Sequence, residues 1–317
     1  DGLGRNDAAG RRCSLGAPGA RGGRQSAIPA PRYARRFRSA AIPRPPSFDE
    51  RDVSDKPSFV RRRPQLSDGA REVIGLNYRC GLAALLSVDD SIEAMLDALR
   101  ATGQLENTVF VFTTDQGMLG GQHRIKSGKN RPYEEALRVP LYIRGPGVAS
   151  GRVLAGPVGN IDVAPTILEL TGADMPPDLA RVIDGVSLVP QLAEEADPRD
   201  RALLVEGRSN VARARRGFAV RSYVGVRTDR YAYFEHRRAV AGTSAAGATM
   251  EIGAGRTTDL ELYDLVRDPH QLSSVHRDPR YSAARRILAR LVERLDDCTG
   301  ESCVVAQAVP APRRTSG

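Results

Sequence analysis

The sequence predicts an α/β domain, built on a mostly parallel sheet with helices, followed by a small α+β subdomain with an antiparallel sheet. Three observations carry this. Val109 to Phe112 is a short run of β-branched and aromatic residues ending at Asp115-Gln116-Gly117, the pattern of a buried strand. A long helical periodicity precedes that strand, and a second strand and a capped helix follow it, which together make an α/β layer. Beyond residue 193 the spacing of apolar residues changes to that of β hairpins.

In chain order, residues 1–26 are rich in Gly and Arg, lack hydrophobic periodicity, and contain no apolar core of the kind a signal peptide requires. They read as a disordered basic lead. Residues 27–64 are rich in Pro and Arg and predict an extended surface segment. Ser67 and Asp68 can cap a long helix, because Val73, Leu76, Tyr78, Leu82, Leu85, Leu86, Val88, Ile92, Met95, Leu96 and Leu99 recur at three- and four-residue steps until Gly103, an apolar stripe expected to cover the sheet. Strands are predicted at 108–114 and 138–144. Asp162 is placed to cap the next helix, with Pro165 tolerated in its first turn and Gly172 just past its end. The acidic piece Glu194 to Asp200 marks a boundary, giving an α/β domain at 27–193 and a carboxyl-terminal subdomain at 194–317. Within the latter, strands are predicted at 202–206, 218–227 and 231–236, with a turn at Thr228-Asp229-Arg230. A loose loop follows at 239–255, then a short strand at 260–264 and a helix at 279–297 capped by Asp278.

Of 317 residues 41% are hydrophobic, with no apolar run long enough for a transmembrane helix. The formal net charge of +9 invites a nucleic-acid reading, but residues 1–46 hold ten arginines against Asp1 and Asp7, so the remainder is nearly neutral. Only Lys56, Lys126 and Lys129 among the 47 basic residues are lysines. Four cysteines are too few for a disulfide scaffold. Cys298 and Cys303 bracket a turn-forming Thr-Gly-Glu-Ser and can close as a disulfide in an oxidising compartment, or stand as two thiols. Neither Cys13 nor Cys80 sits in the setting of a nucleophile.

The strand end is where ligands bind in open α/β sheets, and there Asp115 and Gln116 offer hard oxygen donors. A turn would also use Asp and Gly. Lys129, about a dozen residues later, brings a mobile positive charge. A cation site beside an anion site is implied. Lys126 competes with Lys129, and His123 is a weaker second polar contact or a plain loop histidine. Arg138 and Glu134 are expected to pair and brace the loop, and His236, His270 and His276 to lie on the surface.

The ordered series Thr113-Thr-Asp-Gln-Gly117, Gly128-Lys129, Tyr133-Glu134, Arg138-Val-Pro-Leu141 and Gly145-Pro-Gly147 resembles the second half of the sulfatase family, in the alkaline-phosphatase-like superfamily. Leu86-Ser-Val-Asp-Asp90 and Asn160-Ile-Asp-Val-Ala-Pro-Thr166 look most like sulfatases acting on sulfated sugars, of the N-acetylglucosamine-6-sulfatase kind. The resemblance runs from about residue 27 to 303, including the Pro-rich segment. It implies that Asp115 and Gln116 help to bind one divalent cation, calcium, with two aspartates from an early strand. Gln116 stands where Asn or His is expected, which changes reach. It also implies that Lys129 contacts the sulfate and neutralises charge on its oxygens as the S–O bond breaks.

Upstream parts of the pattern are missing. The family's Cys-x-Pro-Ser-Arg, whose cysteine becomes the formylglycine nucleophile, does not occur in this sequence, nor do the early paired aspartates. The sequence therefore reads as a truncated sulfatase with an unrelated lead, whose relatives hydrolyse sulfate esters of sugars and are often secreted, periplasmic or lysosomal. Two alternatives stand beside it. A phosphoesterase of the same superfamily would use the same cation and lysine, and an inert module could grip polyanions through the arginine-rich lead.

Overall fold

The computed structural model describes residues 5–6, 12–13, 27–193, 201–207, 221–238, 256–304 and 309–311. Most of the basic lead, the acidic boundary, residues 218–220 and the 239–255 loop lie outside the described residues. The chain forms two compact units that interleave in sequence. One comprises Asp1–Arg51, Arg63–Phe110 and Met118–Lys129; the other comprises Asp52–Arg62, Val111–Gly117 and Asn130–Gly317. The division does not fall at residue 193, because side chains tie the earlier segments of the second unit to its antiparallel sheet. Lys56 Nζ donates to Leu272 O at 2.7 Å, the Ser58 amide to Asp259 Oδ1 at 3.3 Å, and Tyr133 Oη to Glu261 Oε1 at 3.1 Å.

In the first unit, two-residue strands β1 (Arg5–Asn6) and β2 (Arg12–Cys13) pair antiparallel, and Cys13 is disulfide-bonded to Cys80 of helix α1 (Asp68–Ala101). Helix α1 starts where the sequence places it: Ser67 Oγ accepts from the Ala70 amide, satisfying one of the open donors of the first turn. Its buried positions are Ile74, Gly75, Leu76, Cys80 and Ala83, all in its amino-terminal half. Leu85, Val88 and Met95, expected in one apolar stripe, are instead exposed. Farther along, Asp90 accepts from Tyr33 Oη at 2.5 Å and pairs with Arg32, fastening the Pro-rich segment to the helix.

In the second unit, β3 (Phe110–Thr113, its first residue assigned to the other unit) and β4 (Leu141–Arg144) form a two-stranded sheet. Helix α2 (Val163–Thr171) follows. Asp162 precedes it but does not cap it: its carboxylate accepts from the amides of Gly159 and Val186 and pairs with buried Arg201. A carboxylate at 0% exposure needs a full set of partners, and three converge on this one. Gly172 ends α2 at φ 64°, a left-handed conformation that glycine adopts without steric cost.

The remaining strands, β5 (Leu203–Gly207), β6 (Arg221–Arg227), β7 (Tyr231–Arg238) and β8 (Thr257–Asp264), make an antiparallel sheet in the order β5-β6-β7-β8. Helix α3 (Ser282–Asp296) packs on it through Leu288, Leu291, Val292 and Leu295 against Val224, Val226, Tyr231, Tyr233 and Leu262. Each such aliphatic side chain contributes about 1.5–3 kcal/mol when fully buried. Because side chains alternate across a strand, the residues between them, Tyr223, Phe234, His236, Glu261 and Tyr263, occupy the opposite face. That face is buried as well.

Candidate functional site

Strand β3 ends at Thr113, and the next four residues turn out of the sheet. Thr114 Oγ1 lies 3.4 Å from Asp115 Oδ1 and 3.3 Å from the Gln116 carbonyl, and the Gly117 amide donates to Ala136 O at 3.0 Å. Asp115 and Gln116 are exposed. Gly117 is required here by packing: a Cβ would meet Glu135 O at 2.1 Å. The two donors are thus presented by a loop pressed against the single helical turn Glu134–Leu137.

Lys129 and His123 belong to the first unit, whereas Asp115 and Gln116 belong to the second. Lys126 and Lys129 are exposed, and Gly128 before Lys129 accepts from the Leu119 amide at 2.8 Å. His123 sits in a turn of the loop but not at its surface. It is fully buried, with Nδ1 2.6 Å from Glu50 Oε2. His123 and Arg124 both have positive φ, 49° and 59°, at a cost of about 1–2 kcal/mol per residue. What compensates is the Arg124 guanidinium, which donates to Glu50 O at 2.9 Å, Arg63 O at 3.0 Å and Arg51 O at 2.7 Å. The loop that leads to Lys129 is therefore braced from beneath.

Glu134 does pair with an arginine, but not with Arg138, which is exposed. Both its oxygens are held by the Arg227 fork at 3.0 and 3.1 Å, the bidentate geometry that suits a carboxylate. Its amide donates to Gln271 Oε1 at 2.7 Å. Tyr133, at 0% exposure, reaches Glu261, which also accepts from Tyr263 Oη at 2.5 Å and from His236 Nε2 at 2.5 Å. His236 is thus a core residue, packed against Phe59 at 5.4 Å between ring centroids, and the expectation of a surface histidine is corrected. Burial pushes the Glu261 carboxyl up, but His236, the Tyr263 hydroxyl and the Lys56 ammonium outweigh it and hold Glu261 below its ordinary 4.5. Burial also raises the Tyr263 phenol well above 10.0. Glu50, Arg227 and Glu261 went unnoticed as partners in the sequence.

Cys298 and Cys303 are disulfide-bonded. Among the described residues, no three His, Cys, Asp or Glu side chains gather into a group that could hold a metal ion, and no helix is long and apolar enough to cross a membrane. Asp115 and Gln116 fit part of a cation shell, not a whole one.

The sulfatase family profile matches residues 38–173, and that of the carboxyl-terminal region of N-sulphoglucosamine sulphohydrolase matches residues 121–242. An arylsulfatase of Volvox carteri is 33% identical over 290 residues, covering 87% of this chain and 43% of its own length. The human N-acetylglucosamine-6-sulfatase is 32% identical over 163 residues, covering 51% of this chain and 29% of its own. A protein solved in complex with its substrate, D-glucosamine-2-N,6-O-disulfate, superposes with a TM-score of 0.58 at 26% identity, covering 73% of this chain and 43% of that one. The chain spans less than half the length of the algal arylsulfatases it matches. Two overlapping profiles thus place a sulfatase family domain within residues 38–242, and the chain shares the alkaline-phosphatase-like α/β fold of its sulfatase neighbours.

Proposed function

We propose that this chain is the part of a sulfate-ester hydrolase, acting on sulfated sugars, that supplies one edge of the cation site and the lysine that meets the sulfate. The observation that carries this reading is the presentation of Asp115 and Gln116 at the end of β3, inside the region matched by the sulfatase profile. Calcium is the proposed cation, and its preference for six to eight oxygens means that carboxylates from elsewhere complete the shell. Lys129 carries a positive charge on an exposed loop, where an ammonium can offset charge growing on sulfate oxygens. Hydrolysis also needs a nucleophile. None of the four cysteines lies in Cys-x-Pro-Ser-Arg, so attack comes from a group outside these 317 residues, and the chain alone is inactive.

The test is a chimera in which residues 27–304 replace the aligned segment of the algal arylsulfatase. Hydrolysis of p-nitrophenyl sulfate is expected, falling by about a hundredfold or more with Asp115→Ala or Lys129→Ala. A chimera that prefers p-nitrophenyl phosphate would assign the site to a phosphoesterase. Activity in the unmodified chain, abolished by both substitutions, would show that it contains its own nucleophile and overturn the reading.

A further inference from the structure

The loop bearing Asp115 and Gln116 is held by more than its own strand. From Gly117 the amide hydrogen bond to Ala136 O leads into the turn Glu134–Leu137, and that turn is fixed at its start by three side chains of the carboxyl-terminal region. Arg227 of β6 takes both oxygens of Glu134, and Gln271 accepts from the Glu134 amide while its Nε2 donates to Pro132 O at 3.4 Å. Glu261 of β8 receives the Tyr133 hydroxyl, and its own orientation is set by His236 and Tyr263. All of these residues lie in one compact unit, so the path from the sheet to the donor loop is continuous.

We propose that Arg227 and Glu261 are positioning residues for the Asp115–Gln116 donor pair, acting through Tyr133, Glu134 and Ala136. This rests on the reading of that pair as cation donors. The physical reason is that two exposed donors on a short loop lose affinity if the loop wanders, and a bidentate ion pair plus a buried carboxylate suppress that motion at a distance from the cation. An antiparallel sheet that provides no ligand would then tune the site.

Hydrogen exchange on the full chain tests the coupling without relying on catalysis. Tyr133→Phe deletes one hydroxyl and Arg227→Met deletes the fork; either is expected to speed exchange at the Gly117 amide about tenfold, with the β6–β7 ladder still protected. Arg227→Lys, which restores charge without the fork, should recover part of the protection. No change at Gly117 in either variant, or equal loosening of the whole ladder, overturns the proposal. Terbium luminescence titration of the same proteins separates the underlying reading. Binding weakened by Asp115→Ala, and by Tyr133→Phe at unchanged melting temperature, supports both. Binding indifferent to Asp115→Ala overturns the cation reading, whatever the exchange data show of the coupling.

Discussion

Replacing Gly117 by alanine tests whether close packing fixes the donor loop. The added Cβ would lie 2.1 Å from Glu135 O, 3.0 Å from Glu135 C and 3.2 Å from Ala136 Cα, all of them backbone atoms that cannot rotate away. Ordinary contact begins at 3.4 Å, so the two segments must separate by about 1.3 Å. The Gly117 to Ala136 hydrogen bond, now 3.0 Å, does not survive such a displacement. Losing it costs about 0.5–1.5 kcal/mol, and overpacking about 1–3 kcal/mol more. Alanine also restricts the unfolded chain, which returns about 0.4–1 kcal/mol. A net loss of about 1–4 kcal/mol is expected from urea denaturation, with faster exchange confined to residues 115–117 and 134–137. A variant within 0.5 kcal/mol of the parent would refute the idea that the glycine is there to let Glu135 approach.

Gly81 lies within α1 with nothing within 4 Å of a Cβ, so Gly81→Ala should raise stability by about 0.5–1 kcal/mol in the same assay. Glu261 is held below 4.5 in the folded chain, so it favours folding above that pH and the contribution is lost as pH falls through the depressed value. Glu261→Gln should therefore cost about 3–5 kcal/mol at pH 7 and show a flatter decline below pH 4.5, read as urea midpoint against pH. The disulfides span 67 and 5 residues, and on chain-entropy grounds the paired Cys13→Ser, Cys80→Ser change should cost about 4 kcal/mol against about 2 kcal/mol for Cys298→Ser, Cys303→Ser.

Local signals read well from the sequence. Ser67 before a three- and four-residue apolar recurrence marks the start of α1, and Thr228-Asp229-Arg230 marks the β6–β7 turn, because caps and turns are decided by neighbours a few residues away. Periodicity tells less about which part of a stripe is covered. Leu85, Val88 and Met95 continue the pattern of α1 but remain exposed, since burial depends on what the rest of the chain brings to that face. Nor could adjacency in sequence reveal that Asp52–Arg62 leaves its neighbours to join the unit containing the antiparallel sheet.

The exposed placement of the proposed donors, Asp115 and Gln116, was legible for the same local reason: a strand that ends in Asp-Gln-Gly presents them wherever it packs. Their support was not, because Glu134 finds Arg227 across 93 residues and Tyr133 finds Glu261 across 128. One clue was nonetheless available. Alternation along β7 and β8 places Phe234, His236, Glu261 and Tyr263 together on one face, and three of these are ionisable. A face of that composition is stable only if it meets water or a layer that supplies partners. Phe59 against His236, Lys56 over Tyr263 and Tyr133 on Glu261 are that layer. Polar residues on the inner rhythm of a hairpin thus point to a second set of contacts, and here those contacts run to the loop that bears Asp115.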